Sequence, residues 1–261
     1  MVATLAACND IKTDERFIEV DAVAPQRTVL LVDFTGQNCL NCPRAHGYID
    51  DIVKQYGDAF IPVSVHGGDF GIAVENTSFE DNYIGLATAK GDAMNKEFDV
   101  AAWPSGVIDY KGPVLSDADW SGAVRDAMKR PSEADIQLTA TLSGEPSSQV
   151  IDVKCTVEPK SDFNGQLRIW VLEDGIVARQ RNGSKIVPDY VHDHVFRCSV
   201  EGREGANIKF SRGIHQTFDD RIAVRHNDHE RWNADKLSIV AFVLGDAGVI
   251  QAAKVHVTTN E

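Results

Sequence analysis

Cys39 and Cys42 are the pair of residues in this chain whose type and spacing best suit a reaction. In a Cys-x-x-Cys motif, the thiolate of the first cysteine attacks a disulfide, and the second thiol reaches back to resolve the mixed disulfide. We therefore predict thiol–disulfide exchange, with Cys39 as an exposed nucleophile and Cys42 as a buried resolving thiol. A zinc half-site and a passive disulfide are the alternatives, although zinc would need ligands that a second such motif does not supply here.

The residues on either side of this motif predict a strand before it and a helix after it. The apolar run at 28–36 is typical of a buried strand, while Ile49, Ile52 and Tyr56 recur at helical spacing. The first turn of a helix has unpaired N–H groups and a positive dipole end, which favour a thiolate over a thiol. Strand, short loop and helix are the context in which this common tetrapeptide indicates redox chemistry.

This arrangement resembles the thioredoxin superfamily, in which an aspartate precedes the first cysteine by six positions. Asp33 occupies that position, between Val32 and Phe34. The resemblance implies that Asp33 is a buried carboxyl group that relays the proton of the resolving thiol, since burial raises a carboxyl pKa towards neutrality. A solvated aspartate at the end of a strand is the alternative.

The same resemblance implies a cis-proline facing the motif. Trp103-Pro104 is the candidate, because it directly precedes a predicted strand. Trp103 and Pro104 would then line the groove for a substrate chain, and a trans turn is the alternative. Two departures from the superfamily leave the redox potential unpredicted: Asn38 stands where the superfamily has tryptophan, and Leu40-Asn41 stands where it has Gly-Pro.

His66 ends a second apolar run, at 59–66, which predicts the next parallel strand. A right-handed crossover brings the C-terminal ends of the two strands to one edge of the sheet. His66 is therefore a candidate for proton transfer near the sulfurs, and a structural or solvent-facing histidine is the alternative.

The remaining pattern predicts an α/β thioredoxin-like domain followed by an all-β immunoglobulin-like sandwich. Helices are expected at about 91–99 and 116–129 in the first part. From 131 onwards apolar residues alternate between turn signals, which favours about seven or eight strands. The predicted division is a lipidated tether at 1–27, a thioredoxin-like domain at 28–130 with an insertion at 68–90, and a β-sandwich domain at 131–261.

The other cysteines and histidines of the predicted sandwich are expected to have structural rather than catalytic roles. Cys155 and Cys198 fall in phase with apolar neighbours, so both are expected in the core, either bridged or as two thiols. His192 and His194 share one strand face, for which solvation is favoured over a metal site. Asn182-Gly183 predicts a hairpin turn.

Composition and charge exclude several classes of protein. The 261 residues carry 26 Lys and Arg against 39 Asp and Glu, a net charge of −13, which argues against a nucleic-acid binder. No uncharged apolar run reaches the ~18 residues that a membrane-spanning helix needs. Neither a metal nor a cofactor is expected. The expected partners are protein thiols or disulfides and, through an N-terminal lipid, a membrane; the oligomeric state is not predicted.

The N-terminal segment and several scattered motifs indicate where the protein resides. Leu5-Ala6-Ala7-Cys8 matches a bacterial lipobox, in which a signal peptide is cleaved and the cysteine is lipidated. The chain is also similar to Bacteroidetes lipoproteins related to the 28-kDa outer membrane protein, in segments 33–43, 63–66, 173–180 and 190–197. This resemblance implies lipid anchoring at the outer membrane through Cys8, on the periplasmic or the cell-surface face.

Two functions from different classes are consistent with these features. The first is an extracytoplasmic thiol–disulfide oxidoreductase on an outer-membrane lipoprotein, with Cys39, Cys42 and Asp33 as its catalytic residues. The alternative is a non-enzymatic surface lipoprotein that binds a protein or glycan partner and keeps the two cysteines in a structural disulfide. A copper chaperone is a third interpretation of the paired cysteines.

Overall fold

The structure is a computed structural model that describes residues 25–259, except Ser147 and residues 201–205. Strands account for 47% of it and helices for 21%. Along the chain the elements are β1 (Val29–Thr35), α1 (Cys42–Tyr56), β2 (Phe60–His66), α2 (Ala89–Glu97), β3 (Ser105–Ile108), β4 (Leu115–Ser116), α3 (Trp120–Met128), β5 (Ala134–Ser143), β6 (Val150–Pro159), β7 (Phe163–Glu173), β8 (Ile176–Asn182), β9 (Lys185–His192), β10 (Val195–Ser199), β11 (Ile208–Phe210), β12 (Gln216–Ala223), β13 (Leu237–Gly245), β14 (Gly248–His256) and β15 (Thr258–Thr259).

One mixed sheet runs through most of the molecule, in the order β14, β13, β7, β10, β2, β1, β3, β4, with β11 paired to β7. β1 and β2 are parallel, as the predicted crossover through α1 requires, and Asp33 lies opposite Ser64. β3 runs antiparallel to β1. Every residue of β1 and β2 is buried, so both faces of this part of the sheet are covered, as the continuous apolar runs predict.

The expected fold class, an α/β thioredoxin-like domain followed by an all-β immunoglobulin-like sandwich, is wrong. β10, which comes from the predicted sandwich, pairs in parallel with β2 at Val195 and Ser64, and it pairs antiparallel with β7. Strands from both halves of the chain therefore share one sheet, in a strand-rich molecule with few helices. Alternation along a strand identifies its apolar face but does not identify its neighbour, which explains the error.

Both faces of the shared sheet bury apolar side chains. On one face, Trp170 and Phe242 of the later strands join Leu30 and Val63 of the early strands in a single core. The edge strand β14 packs back against β1 and β2, and so encloses this core. Helices α1 and α3 cover the other face of β1. The opposite face of β7 and β13 packs on a second sheet, with strand order β12, β6, β5, β15.

Several local predictions are confirmed. The helix expected at about 91–99 is α2, and the helix expected at 116–129 is the shorter α3. β8 and β9 form a separate two-stranded hairpin that turns at Asn182-Gly183, as the sequence predicts. The division of the chain into domains stays a prediction, and residues 1–24 of the expected tether lie outside the described residues.

Candidate functional site around the Cys39–Cys42 disulfide

Cys39 and Cys42 form a disulfide at the N-terminal end of α1, with their Cα atoms 5.5 Å apart. Cys42 is the first residue of α1, and Cys39 lies in the loop between β1 and α1. Cys39 is 2% exposed and Cys42 is 0% exposed. Cys42 is buried as expected. The exposed position expected for Cys39 is not found in this oxidised form, so little of the residue is presented to a substrate thiol.

The β8–β9 hairpin covers the loop that carries the disulfide. The side-chain amide of Gln180, which is 0% exposed, donates to the carbonyl oxygen of Cys39 at 3.0 Å. Two backbone pairs continue this contact, with Arg181 N–H donating to the Gln37 carbonyl at 2.8 Å and Gly183 N–H to the Leu40 carbonyl at 2.9 Å. The edge of β8 therefore binds both sides of Cys39.

Asp33 is 0% exposed in the middle of β1, and neither carboxylate oxygen has a hydrogen-bond partner in the part of the chain that the structure describes. Burial first, and then the negative charge of Asp117, raises the pKa of Asp33 well above its ordinary value. His46 Nε2 of α1 lies 3.8 Å from Asp33 Oδ2, which is beyond hydrogen-bond distance. The burial expected for Asp33 is found, and its role as a proton relay stays a prediction.

The Trp103–Pro104 peptide bond is cis, as the resemblance implies. It immediately precedes β3, whose Ser105 pairs with Phe34 near the end of β1, so it lies beside the disulfide loop. The Trp103 ring packs edge-on against Phe70, and the carbonyl of Phe70 accepts a hydrogen bond from Asn38 N–H at 3.0 Å. This placement suits the substrate groove predicted for Trp103 and Pro104, and that role stays a prediction.

His66 belongs to a buried cluster of imidazoles. Its ring centroid lies 5.2 Å from that of His192 in β9, and both residues are 2% exposed. Among the described residues, no hydrogen bond of acceptable geometry reaches a ring nitrogen of His66 or His192. His46 differs, because its Nδ1 contacts the Tyr190 hydroxyl at 2.8 Å and its Nε2 contacts the Thr35 hydroxyl at 3.2 Å. A cavity of about 70 Å³ lies among these rings, which is room for a few water molecules.

Burial holds the pKa of these three imidazoles below the ordinary value. It lowers the pKa of His46 to about 3 and that of His192 to about 4. The pKa of His66 also falls well below its ordinary value, through burial and then through the neighbouring His192; backbone groups beside His66 and His192 offset only part of this effect. All three rings are therefore neutral at neutral pH. The solvated face expected for His192 is wrong, because the hairpin folds back onto β2.

Sequence reasoning missed the residues that join the hairpin to the disulfide loop, above all Gln180 and His46. The sequence pattern gives only a weak indication of these two residues. Gln180 falls in phase with Ala178, which is buried, and a polar residue on an apolar face indicates a buried hydrogen bond. His46 lies one helical turn after Cys42, so both point to the same side of α1.

The structure also tests the remaining cysteines, possible metal sites and possible membrane-spanning helices. Cys155 is buried and Cys198 partly buried, and the described structure shows them as two thiols rather than a bridge. Within residues 25–200 and 206–259, apart from Ser147, no group of three or more His, Cys, Asp or Glu is arranged to hold a metal ion. None of the described helices is long and apolar enough to cross a membrane.

A family model decides what the chain is related to. The model described as outer membrane protein Omp28 matches residues 91–261, about two thirds of the sequence. The chain belongs to the Omp28 family. It is therefore an outer-membrane lipoprotein, as the resemblance in its motifs implies. The predicted lipidation site, Cys8, lies outside the described residues and stays a prediction. No curated protein matches the chain.

Solved structures similar to this Omp28-family chain match it at low sequence identity. HBP35 of Porphyromonas gingivalis is 15% identical, with a TM-score of 0.66 over 90% of this chain and 76% of that one. A protein from Agrobacterium tumefaciens is 12% identical, with a TM-score of 0.52 over 89% of this chain and 96% of that one. A domain of the outer membrane lipoprotein Omp28 from Porphyromonas gingivalis is 18% identical, with a TM-score of 0.35, and covers 51% of this chain and 93% of that one.

Proposed function

We propose that this Omp28-family protein is a non-enzymatic outer-membrane lipoprotein that binds a protein or glycan partner and uses its Cys39–Cys42 disulfide for stability. The proposal depends on one observation, the burial of both cysteines beneath the β8–β9 hairpin. A disulfide that exchanges with substrate thiols needs an accessible sulfur, whereas a structural disulfide does not. Here the bond fixes the loop on which the hairpin docks, so that it supports the hairpin rather than a passing substrate.

The outer face of the hairpin supports a role in binding. Val177 and Val191 pair directly across the two strands and are 48% and 52% exposed. Ile186, nearer the turn, is 49% exposed. Grouped apolar side chains at a surface are typical of sites that contact another molecule. The hairpin thus presents these apolar side chains outwards, while Gln180 on its inner side binds the disulfide loop.

Replacing both cysteines tests the structural role of the disulfide. A chain with Cys39→Ser and Cys42→Ser should lose about 2 kcal/mol of unfolding free energy, because even a short closed loop restricts the unfolded chain. Urea unfolding at pH 7.5 measures this loss. Cys198→Ser is the control for serine substitution itself, since it removes no disulfide, and it should leave the unfolding free energy closer to that of the wild type.

The same variants test for catalysis. In the presence of dithiothreitol, the wild-type chain should reduce insulin no faster than the double serine variant. Catalysed reduction by the wild type that the serine variant lacks would contradict the proposal. The second candidate function, thiol–disulfide exchange, would then be favoured.

That second candidate is supported by the state of Asp33. A buried carboxyl group with raised pKa and without a partner among the described residues is a stronger proton acceptor than an ordinary aspartate. In an oxidoreductase, the Cys39 thiolate would attack and Asp33 would take the proton of Cys42. Alkylation of Cys39 alone after mild reduction would support this function, and equal or absent alkylation of both cysteines would argue against it.

A further inference from the structure

Two contacts of the β8–β9 hairpin, residues 176–192, with the rest of the molecule differ in character. At one contact, Gln180 and the backbone of β8 bind the disulfide loop through well-formed hydrogen bonds of 2.8–3.0 Å. At the other contact, His192 of β9 lies against His66 of β2 with no such bond between them. β8 is therefore held over the disulfide by hydrogen bonds, while β9 rests on the neutral imidazoles and is joined to α1 by the contact of the Tyr190 hydroxyl with His46 Nδ1.

The contact between His66 and His192 depends on both rings being neutral. Each ring is 2% exposed, and their centroids are 5.2 Å apart. A proton on either ring would place an incompletely compensated charge in a buried site, and protons on both would add repulsion across the contact. Movement of the hairpin away from β2 would return His192 to water and relieve both penalties.

The groups around these two rings do not neutralise such charges fully. Asp33 of β1 lies 3.8 Å from His46, but burial raises the pKa of this carboxyl group, so it supplies less counter-charge to the rings as the pH falls. The remaining charged or titratable neighbours are Asp50 of α1, Tyr190, Asp193 and His194 of β9 and the turn after it, and Arg197 of β10. Arg197 disfavours a proton on His66, and Asp193, which is exposed, favours one on His192.

The cavity between the rings gives protons a route. Its volume of about 70 Å³ admits water, and its lining includes both buried His66 and exposed Val191 and Asp193. Acidification therefore reaches the contact without global unfolding. A histidine whose pKa recovers from about 4, the value for His192, to its ordinary value on release would favour the released state by ~30-fold at pH 5 relative to pH 7.5.

We propose that the β8–β9 hairpin is an acid-released latch over the Cys39–Cys42 disulfide: uptake of protons by His66 and His192 separates β9 from β2 and opens the disulfide to solvent. The latch adds a condition to the function proposed above and does not replace it. The structural role of the disulfide is read from unfolding of the serine variants, whereas the latch is read from the accessibility of the disulfide in the wild type.

The test measures how fast tris(2-carboxyethyl)phosphine reduces the disulfide in the full chain at pH 7.5 and pH 5. The phosphine transfers its electron pair to the S–S bond, both cysteines leave as thiols after protonation by water, and the phosphine becomes its oxide. Reduction is followed by maleimide labelling and peptide mapping of Cys39 and Cys42. Dividing each rate by that of oxidised glutathione at the same pH removes the pH dependence of the reagent. The normalised rate should rise at least ~10-fold at pH 5.

Two variants assign this rise to the latch. His66→Gln and His192→Gln keep a neutral polar side chain at both pH values, so each should reduce the rise, and the double variant should reduce it to less than ~3-fold. His229→Gln, at an exposed histidine of the loop after β12, should behave as the wild type. A wild-type rate that is flat with pH overturns the proposal, as does a rise that both glutamine variants retain.

A second measurement uses the wild type alone, so it tests the latch even if the glutamine variants do not fold. Hydrogen exchange of the Arg181 and Gly183 amides in the wild type, corrected for the intrinsic effect of pH, should accelerate at pH 5 while amides of β13 keep their protection. Equal protection at both pH values, or a loss of protection in β13 together with the hairpin, would overturn a local latch. The native near-ultraviolet signal of buried Trp170 at pH 5 reports on global unfolding independently.

Discussion

Two buried polar clusters occupy opposite ends of β1, and they are built differently. At the start of the strand, Arg27 is 5% exposed and donates to Asp109 and to the carbonyl oxygens of Ala127 and Val249. Arg130 also binds Asp109, and the Leu30 N–H donates to the same carboxylate at 3.3 Å. Each charge in this cluster meets an opposite charge or a hydrogen-bond partner.

At the other end of β1, Asp33, His66 and His192 are equally buried but have no hydrogen bond of acceptable geometry among the described residues. An unsatisfied buried polar group costs roughly 1–3 kcal/mol, so this end is expected to lower stability where the first end is satisfied. One end holds the early and late strands together, whereas the other end buries polar groups whose charged forms are disfavoured by burial.

The largest effect is expected at the satisfied cluster. Asp109→Asn keeps the size of the side chain and tolerates the positive φ of 56° at this residue, but it leaves the buried guanidinium of Arg27 without its counter-charge. Breaking a buried pair from one side costs about 3–5 kcal/mol. Urea unfolding at pH 7.5, followed by tryptophan fluorescence, measures this loss.

Asp126→Asn is the matched control, because Asp126 pairs with Lys129 at 2.6 Å on the exposed face of α3. Its unfolding free energy should stay close to that of the wild type. If Asp109→Asn and Asp126→Asn had equal effects, the first cluster would not be the stabilising one.

The next effect is the acid sensitivity of the imidazole cluster. Because its pKa is lowered, folded His192 binds fewer protons than the unfolded chain, so its contribution to stability is present above pH ~6.5 and is lost as pH falls towards 4. Between pH 7.5 and pH 5, His192 alone should account for a loss of about 2 kcal/mol. Urea unfolding at both pH values should show this loss in the wild type and a smaller loss in His192→Gln.

His215→Gln serves as the control, because the His215 side chain is 59% exposed and faces Glu158 at 3.9 Å. It should keep the acid sensitivity of the wild type. An identical pH dependence for His192→Gln and the wild type would mean that burial of this ring carries no linkage to folding.

The opposite sign is expected at Asp33. A raised carboxyl pKa stabilises the fold only at low pH, and this contribution is lost as pH rises through the folded pKa. Asp33→Asn removes the group that must ionise at a cost, so it should raise the unfolding free energy by about 1–2 kcal/mol at pH 7.5. The gain should shrink as the pH falls below about 4, where the carboxyl becomes protonated in the unfolded state as well. A loss of stability at pH 7.5 would show that Asp33 has a favourable partner as an anion.

How much of this contrast the sequence predicts depends on the distance between the residues involved. The strand before Cys39, the helix after Cys42 and the parallel pairing of β1 with β2 follow from local periodicity and the handedness of crossovers. The burial of Asp33 follows from its position between two apolar residues of a covered strand.

The later half of the site depends on contacts that periodicity does not encode. Val195 pairs with Ser64 across a long stretch of chain, and it is this pairing that merges two predicted domains into one sheet. His192 shares a strand face with His194, as predicted, but its burial arises only because the hairpin folds back onto β2. A two-residue period shows which side chains point together and not what they meet.

The smallest effect is expected at the turn of the hairpin. A substitution there distinguishes the contact of β8 with the disulfide loop from the contact of β9 with β2. Gly183 has a φ of 58°, and a Cβ there would meet no atom within 4 Å, so Gly183→Ala adds backbone strain without a clash. A non-glycine residue in this conformation costs roughly 1 kcal/mol, and Gly183→Asn should cost less because asparagine tolerates it. Since the Gly183 N–H donates to Leu40, the strain falls on the contact with the disulfide loop. Gly183→Ala should therefore speed phosphine reduction of the disulfide at pH 7.5 more than Gly183→Asn does. Equal rates for both variants would show that the turn does not contribute to holding the disulfide loop. The contact of β9 with β2 would then be what keeps the disulfide covered.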